Sequence, residues 1–434
     1  MNAREGLAAI RSAEELEGVS VSESNYLAQY ATASHDERWP LVRGWIQNAP
    51  LPFFKELREQ QPVLVTPVCT LLASFDDVIE VLSQPKMFTV ELYKPKMGDY
   101  LMTEDDTPMH NTEKGIMLSL LKRDDLPRVR QYVADSAKEI LDKAQGHIDL
   151  AVDYSRIVPT AMVQGYFGLD GINPRTLVKW SYWNQYDAFH NQPFHDLPNA
   201  EEIHSNMKNN NMRLSIYIAW LLVRKWWAIK RGRAADDVVT RILTTTYPKE
   251  AKFTLARQGI NAGGLLIGAV ETTSQAVIQA VDELMHRPLL MAEAIEAAQS
   301  GDTARFDGFV WEALRFNITF KYIFRTAAQE YTLAKGTPRE TLIPKGTTVL
   351  ALVHSAMFDS SHFPNPEVFD PTRPYGDSFH FGFGSHECMG KYIGMVMIPE
   401  MVRQVLLRPG IHADGPIDRK GGPLPESYSL SWNR

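Results

Sequence analysis

A glycine-rich loop near the C-terminus carries a cysteine in surroundings that suit metal binding. The loop reads FHFGFGSHECMG over residues 379–390, and Cys388 stands at the start of a predicted final helix. Its glycines at 382, 384 and 390 allow positive φ angles and a close approach to something flat. Unpaired N–H groups and the positive end of the helix dipole favour a thiolate. Such a thiolate is a good axial ligand for haem iron and pushes electron density toward O–O cleavage.

Other roles for this cysteine compete with that interpretation. Free cysteine is among the most buried residue types, so Cys388 could be purely structural. His380 and His386 lie close enough in sequence to suggest zinc, but no further ligand stands at a recognisable spacing. A dinucleotide site fails because Glu387 stands where a GxGxxG motif needs its third glycine.

A second segment places an acid beside a hydroxyl in a long apolar helix. Residues 257–285 have apolar side chains at i, i+3 and i+4, and they predict one helix through the core. Gly268 precedes Glu271 and Thr272 in its middle. A threonine hydroxyl can bond to the carbonyl four residues earlier and open the helix there. The plainer alternative is a glycine for close packing and a buried, paired acid.

Further elements must hold these two segments in place. The periodicity and the breaker residues predict strands within 63–74, 330–336 and 341–357, a short helix from 75 that stops before Pro85, and helices over 125–144, 211–232 and 389–407. Glu312 and Arg315 share one face of another helical stretch and can pair, although such a pair is usually solvated. No repeat or composition break divides the chain. The sequence therefore predicts a mainly α fold with a small β part.

Taken in order along the chain, these motifs resemble those of the cytochrome P-450 family. The run from Phe381 to Gly390 is similar to the family's haem-ligand signature, and residues 268–273 resemble its oxygen-activating helix. Residues 343–373 resemble the bacterial family's strand, turn and Phe/Pro/Asp-rich meander. The match spans about 50–434. It implies the cytochrome P-450 fold, with a long helix over the haem and a proximal loop that carries the cysteine ligand.

The resemblance implies a haem b cofactor and assigns roles to individual residues. Glu271 and Thr272 would relay protons to iron-bound dioxygen. The expected haem contacts are Cys388 as the axial ligand, Phe381 and Gly382 in its loop, and His110, Lys114, Arg325 and His386 at the propionates. Glu312 and Arg315 would join Arg373 in a buried group that holds the proximal loop. Lys114 stands where the family usually has arginine, so it can meet a propionate only as a point charge.

The same alignment indicates which residues face the substrate. Gly264, Ile267 and Gly268 would line the distal side, and part of the segment 316–324 would face the pocket. This segment is mostly apolar, and Lys321, followed by Tyr322, is its one charged residue. We therefore expect a hydrophobic substrate with a carboxylate or another acceptor near Lys321, such as a fatty acid or a terpenoid acid. The alternative is that Lys321 points to solvent or to a propionate.

Composition limits the class of protein. The 434 residues include 45 Lys and Arg, 52 Asp and Glu, and two cysteines, with a net charge of −7. This balance argues against a nucleic-acid partner, and two thiols suit a reducing cytoplasm. We find no secretory signal and no apolar stretch long enough for a membrane anchor. Residues 1–50 are predicted to be an N-terminal arm of the same unit, and 51–434 a single cytochrome P-450 domain.

The function implied by the resemblance is that of a haem-thiolate monooxygenase. It would insert one atom of O2 into a hydrophobic small molecule, with electrons from a separate ferredoxin and ferredoxin reductase. A docking patch for an acidic ferredoxin could comprise Lys122, Arg123, Arg128, Arg130, Lys391 and Arg403. A peroxide-driven peroxygenase or isomerising relative is one alternative, although such branches tend to lose the acid–alcohol pair. A haem sensor or carrier without turnover is another.

Overall fold

The computed structural model describes residues 25–105 and 107–434, so the first 24 residues of the predicted arm lie outside the described residues. The α-helices of the described residues are α1 (Tyr26–Thr32), α2 (His35–Asn48), α3 (Pro50–Gln60), α4 (Phe75–Leu82), α5 (Lys94–Met97), α6 (Pro108–Leu120), α7 (Leu126–Lys143), α8 (Ile157–Met162), α9 (Pro174–His190), α10 (Ala200–Lys230), α11 (Val238–Thr244), α12 (Leu255–Ala269), α13 (Glu271–Met285), α14 (Pro288–Ser300), α15 (Thr303–Phe316), α16 (Val353–Ala356) and α17 (Lys391–Leu406). The strands are β1 (Val63–Val65), β2 (Cys69–Leu72), β3 (Phe88–Thr89), β4 (His147–Asp149), β5 (Ile323–Ala327), β6 (Tyr331–Leu333), β7 (Thr341–Ile343), β8 (Thr348–Ala351), β9 (His412–Ala413) and β10 (Ser429–Ser431). The prediction of a mainly α fold with a small β part is confirmed.

The largest sheet has the strand order β1-β2-β8-β5-β3. β2 pairs in parallel with β8, and Cys69 lies opposite Thr348 in that register. β5 pairs antiparallel with β8, where Arg325 lies opposite Val349. This pairing buries Cys69 in the sheet and fixes the strand that carries Arg325.

The predicted helix over residues 257–285 is interrupted in the structure. α12 ends at Ala269 and α13 begins at Glu271, with Val270 between them at φ −89° and ψ −67°. The prediction of one uninterrupted helix was therefore wrong. The predicted helix 211–232 is also part of a longer one, because α10 begins at Ala200 and extends for 31 residues.

Three apolar clusters form the core of the described residues, and two of them show how the functional motifs and the N-terminal arm are held. The larger one is built around helices α7, α13, α15 and α17 and includes buried Phe306, Phe309 and Met401. A second cluster joins the described part of the N-terminal arm to the sheet, where Trp39 packs near Leu350. Within the described ranges, no helix has the length and apolarity needed to cross a bilayer.

Candidate active site

One cavity of about 1150 Å³ brings the two principal motifs together. Cys388 and Thr272 both line it. The other predicted residues on its wall are Phe381, Gly382, His386, Arg325, Gly264, Ile267, Gly268, Lys321 and Tyr322. The structure thus collects most of the predicted cofactor and substrate residues around a single space.

The cysteine loop depends on glycine at two positions. Gly382 has φ +74° and Gly384 has φ +73°, a region that side chains with a Cβ rarely adopt. A Cβ on Gly384 would also lie only 2.6 Å from the carbonyl oxygen of Leu82. Gly390 differs, because its φ is −81° and it precedes the first residue of α17. The expectation of a positive φ at Gly390 was therefore wrong.

The backbone at Cys388 is fixed by a hydrogen bond within its own loop. The Cys388 N–H donates to the carbonyl of Phe381 at 2.9 Å. Burial raises the pKa of the Cys388 thiol, although the Gly390 N–H and the charge of Lys114 lower it. The Cys388 side chain is exposed to the cavity, so a group bound there can reach its sulfur atom. A coordinated metal ion deprotonates such a thiol outright.

Two basic side chains on the cavity wall lack acidic partners. Both ring nitrogens of His386 are buried without a hydrogen-bond partner. Arg325 donates to the carbonyl of Phe324 at 2.8 Å, and no described carboxylate lies within salt-bridge distance of it. Burial lowers the pKa of Arg325 and, with the nearby charge of Arg325, lowers that of His386 to about 2. This donor set, with the Cys388 thiol, fits haem and its two propionates.

His110 and Lys114 contact the loop backbone instead of lining the cavity. The His110 ring lies 2.7 Å from the carbonyl of Leu101 and 3.1 Å from that of Ser385. Lys114 Nζ donates to the carbonyls of Ser385 at 2.5 Å and Glu387 at 2.7 Å. Their propionate roles remain predictions, since each side chain would have to turn to reach the cavity.

Side chains satisfy the backbone carbonyls freed by the break between α12 and α13. The Thr272 hydroxyl donates to the carbonyl of Gly268 at 2.6 Å, the bond that the sequence predicts. Ser181 and Gln185 of α9 donate to the carbonyl of Ile267. The opening is therefore hydrogen-bonded, and it leaves the Thr272 hydroxyl at the cavity.

Glu271 lies behind the cavity wall and not on it. Its carboxylate is fully buried and accepts from Arg156 Nε at 3.0 and 3.1 Å. Arg156 also lies 3.7 Å from the carboxylate of Glu426, which accepts from the Tyr182 hydroxyl at 2.8 Å. Burial raises the pKa of Glu271 to about 7 against the opposing effect of Arg156. Glu271 can therefore exchange a proton near neutral pH, and a charged chain connects it to Glu426.

The structure brings the three predicted structural residues together. Arg315 donates through two nitrogens to the Glu312 carboxylate at 2.7 and 2.9 Å, in the bidentate geometry that arginine favours. Arg373 Nε approaches the same carboxylate at 3.4 Å, and the backbone N–H of Asp370 donates to it at 3.0 Å. Glu312 thereby ties α15 to the segment that leads into the cysteine loop.

A polar cluster lies at another part of the cavity, and the sequence predicts only two of its members as pocket residues. His190, His195 and Arg419 line it together with Lys321 and Tyr322. Both histidines are half-buried, and the His195 ring lies 2.9 Å from the Tyr322 hydroxyl. No sequence signal placed Arg419 here, because it reaches the cavity only through the fold of the tail.

The described residues contain no group of three His, Cys, Asp or Glu side chains that could hold a metal ion, so the zinc alternative gains no support. Burial lowers the pKa of His380 to about 3. Its ring packs 5.6 Å from that of Trp311, so this histidine stands in an aromatic environment.

Comparison with known proteins gives one consistent result. The family profile described as cytochrome P-450 matches residues 83–409. Cytochrome P-450 109 of Bacillus spizizenii is 24% identical over 350 residues, 79% of this chain and 80% of that protein. The cytochrome P-450 monooxygenase PikC of Streptomyces venezuelae is 24% identical over 83% of each chain. A Bacillus megaterium cytochrome P-450 solved with testosterone superposes with a TM-score of 0.73 at 19% identity, covering 89% of this chain and 99% of its own.

Proposed function

Since the chain belongs to the cytochrome P-450 family, which carries haem b, we propose that it inserts one atom of O2 into a hydrophobic small molecule and reduces the other to water. The reaction consumes two electrons and two protons for each product molecule. The observation that carries the proposal is the single cavity shared by the Cys388 thiol and the Thr272 hydroxyl.

The residues that line the cavity have separate roles in binding haem and in leaving space for the reactants. Haem, when bound, supplies the chemistry of O–O cleavage. Cys388 Sγ would hold the iron, and Arg325 and His386 would donate to the propionates. The unpartnered ring nitrogens of His386 and the lack of a described carboxylate within salt-bridge distance of Arg325 support this assignment. Gly268 leaves open space beside α12, because a Cβ built there meets no atom within 4 Å.

Proton delivery is assigned to Glu271 and Thr272. The Thr272 hydroxyl holds a proton at the cavity wall. Glu271 can resupply that proton after it is transferred, because the Glu271 pKa of about 7 permits both protonation states. The carboxylate must turn away from Arg156 to make this transfer. Arg156 and Glu426 would connect the acid to solvent, since the Glu426 side chain is 22% exposed.

A separate ferredoxin and ferredoxin reductase are the electron donors we propose. The predicted docking patch is partly neutralised, because Arg128, Arg130, Lys391 and Arg403 each pair with a carboxylate. Arg123 lies 3.8 Å from the ring centre of Tyr392 on α17, close to the cysteine loop. An acidic partner would therefore rely most on Arg123 and Lys122.

The two unbridged thiols agree with the proposed cytoplasmic location.

Isotope-labelled O2 tests the proposal directly. With a reduced ferredoxin system, we expect product to carry one labelled oxygen and reductant oxidation to depend on substrate. Turnover that requires peroxide and takes up no label would favour the peroxygenase. Haem binding without substrate-dependent reductant oxidation would favour a sensor or carrier.

The polar end of the cavity supports an acidic apolar substrate. Lys321 lines the cavity with no carboxylate within salt-bridge distance in the described chain. Arg419 lines it too, and His190 Nε2 is buried without a partner. Burial and the charge of Arg419 lower the pKa of Lys321 to about 8. Lys321 is half-buried, and a partly desolvated ammonium without a counter-ion is unfavourable, so a substrate carboxylate would stabilise it. Phe189 and Phe320 supply apolar wall for the rest of the molecule.

Lys321→Met should remove a preference for acids over neutral compounds. We expect wild-type protein to bind a fatty acid at least tenfold more tightly than the alcohol of equal chain length, because truncating a buried charge partner costs about 2–5 kcal/mol. The preference should decline above about pH 8, where Lys321 loses its charge. Titration of the low-spin to high-spin Soret shift measures both affinities. Exposed Lys335→Met is the control. An unchanged ratio in Lys321→Met, or reduced haem content instead, would contradict the assignment.

A further inference from the structure

The outer face of α10 carries an exposed apolar stripe. Met212, Ile216, Trp220, Val223 and Trp227 follow one another at intervals of three and four residues, so they form one line along the helix. Each of them is between 48% and 65% exposed. Single exposed apolar side chains are ordinary, but a contiguous line of them marks an interaction surface.

The charge beside this stripe is mainly positive, although Glu201 and Glu202 stand in the first turn of α10 and Arg224 pairs with Asp170. Residues 203–235 contain seven Lys and Arg and no Asp or Glu, in a chain whose net charge is −7. The exposed cations are Lys208, Arg213, Lys230, Arg231 and Arg233. Two cations also lie over tryptophans of the stripe, with Arg224 4.9 Å from the ring centre of Trp220 and Arg231 5.4 Å from that of Trp227. Apolar contact and attraction to anions thus coincide on one helix.

We propose that this face of α10 lies on a membrane surface that contains anionic lipids. Basic amphipathic helices with tryptophan lie in the interfacial plane, with their apolar face among the acyl chains and their cations at the headgroups. A second copy of the chain fits less well, because two identical faces would bring their like charges together. The contact does not depend on the proposed reaction. It would place the cavity near a store of apolar molecules, since α10 packs on α9, whose Phe189 lines the cavity.

Vesicle sedimentation with the full-length protein tests the membrane contact. We expect at least tenfold stronger partitioning onto vesicles of equal phosphatidylglycerol and phosphatidylcholine than onto phosphatidylcholine alone, and weaker binding at high salt. Lys230→Glu/Arg231→Glu/Arg233→Glu and Ile216→Ser/Trp220→Ser should each reduce binding to the anionic vesicles at least tenfold. The matched control carries Lys335→Glu, Leu342→Ser and Lys345→Glu, all exposed and on or beside the β6–β7 hairpin.

Three outcomes would overturn the proposal. They are absence of binding to anionic vesicles, equal binding to anionic and neutral vesicles, and unchanged binding of both the charge-reversed variant and the stripe variant. Analytical ultracentrifugation measures whether the protein forms a dimer. A dimer that Ile216→Ser/Trp220→Ser dissociates would assign the face to a second copy. Circular dichroism and thermal unfolding of every variant separate lost binding from lost folding.

Discussion

Replacing Cys388 by alanine is expected to abolish the red-shifted Soret band of the reduced, CO-bound protein and all oxygen-dependent turnover. The band reports a thiolate ligand, and Cys388 is the cysteine whose side chain lines the cavity. The loop should survive the change, because its shape depends on the positive φ angles of Gly382 and Gly384 and on backbone bonds. The band and the activity should therefore be lost because the iron loses its thiolate ligand, while the protein remains folded. Absorbance and haem content measured on the same sample check it.

The chain offers a matched control in its other cysteine. Cys69 is buried in β2, where burial raises the pKa of its thiol to about 12, and its neighbour is the Thr66 hydroxyl. Cys69→Ala should keep the red-shifted band. A Cys388→Ala protein that still shows this band would remove Cys388 as the ligand, whatever its haem content.

The features that could be predicted from sequence are those that local chemistry determines. The need for glycine at 382 and 384 follows from the backbone conformation of one loop, and the Glu312–Arg315 pair follows from helical spacing. The bond from Thr272 to the carbonyl four residues earlier is equally local. Such features depend on neighbours within a few residues, so a short motif contains the necessary information.

The direction in which several site side chains point could not be predicted, because it depends on residues far away in the sequence. Glu271 turns away from the cavity because Arg156, 115 residues earlier, supplies its partner. Lys114 donates to carbonyls more than 270 residues later. Arg419 meets Lys321 at the cavity only after the tail folds back. No motif in a single sequence records these long-range contacts.

The same long-range contact determines what Glu271 should do in turnover. Glu271→Gln is expected to lower the turnover rate on the order of 100-fold, the usual contribution of a positioned acid or base. Substrate affinity should stay unchanged, because Glu271 is not on the cavity wall. The glutamine side chain can still accept from Arg156, so the packing of this buried site should be preserved. The spin-state titration and the rate with a ferredoxin system measure the two quantities separately.

The pH dependence separates a proton-transfer role from a structural one. Because burial raises the pKa of Glu271 to about 7, the acid carries its transferable proton below that pH and loses it above. Wild-type turnover should therefore fall as the pH rises through about 7, whereas that of Glu271→Gln should be low and flat across the same range. Glu271→Asp keeps an acid at the position and should retain the pH-dependent decrease. If Glu271→Gln kept the wild-type rate and pH profile, protons would have to reach Thr272 by another route, and the ion pair with Arg156 would be a purely structural feature of the helix break.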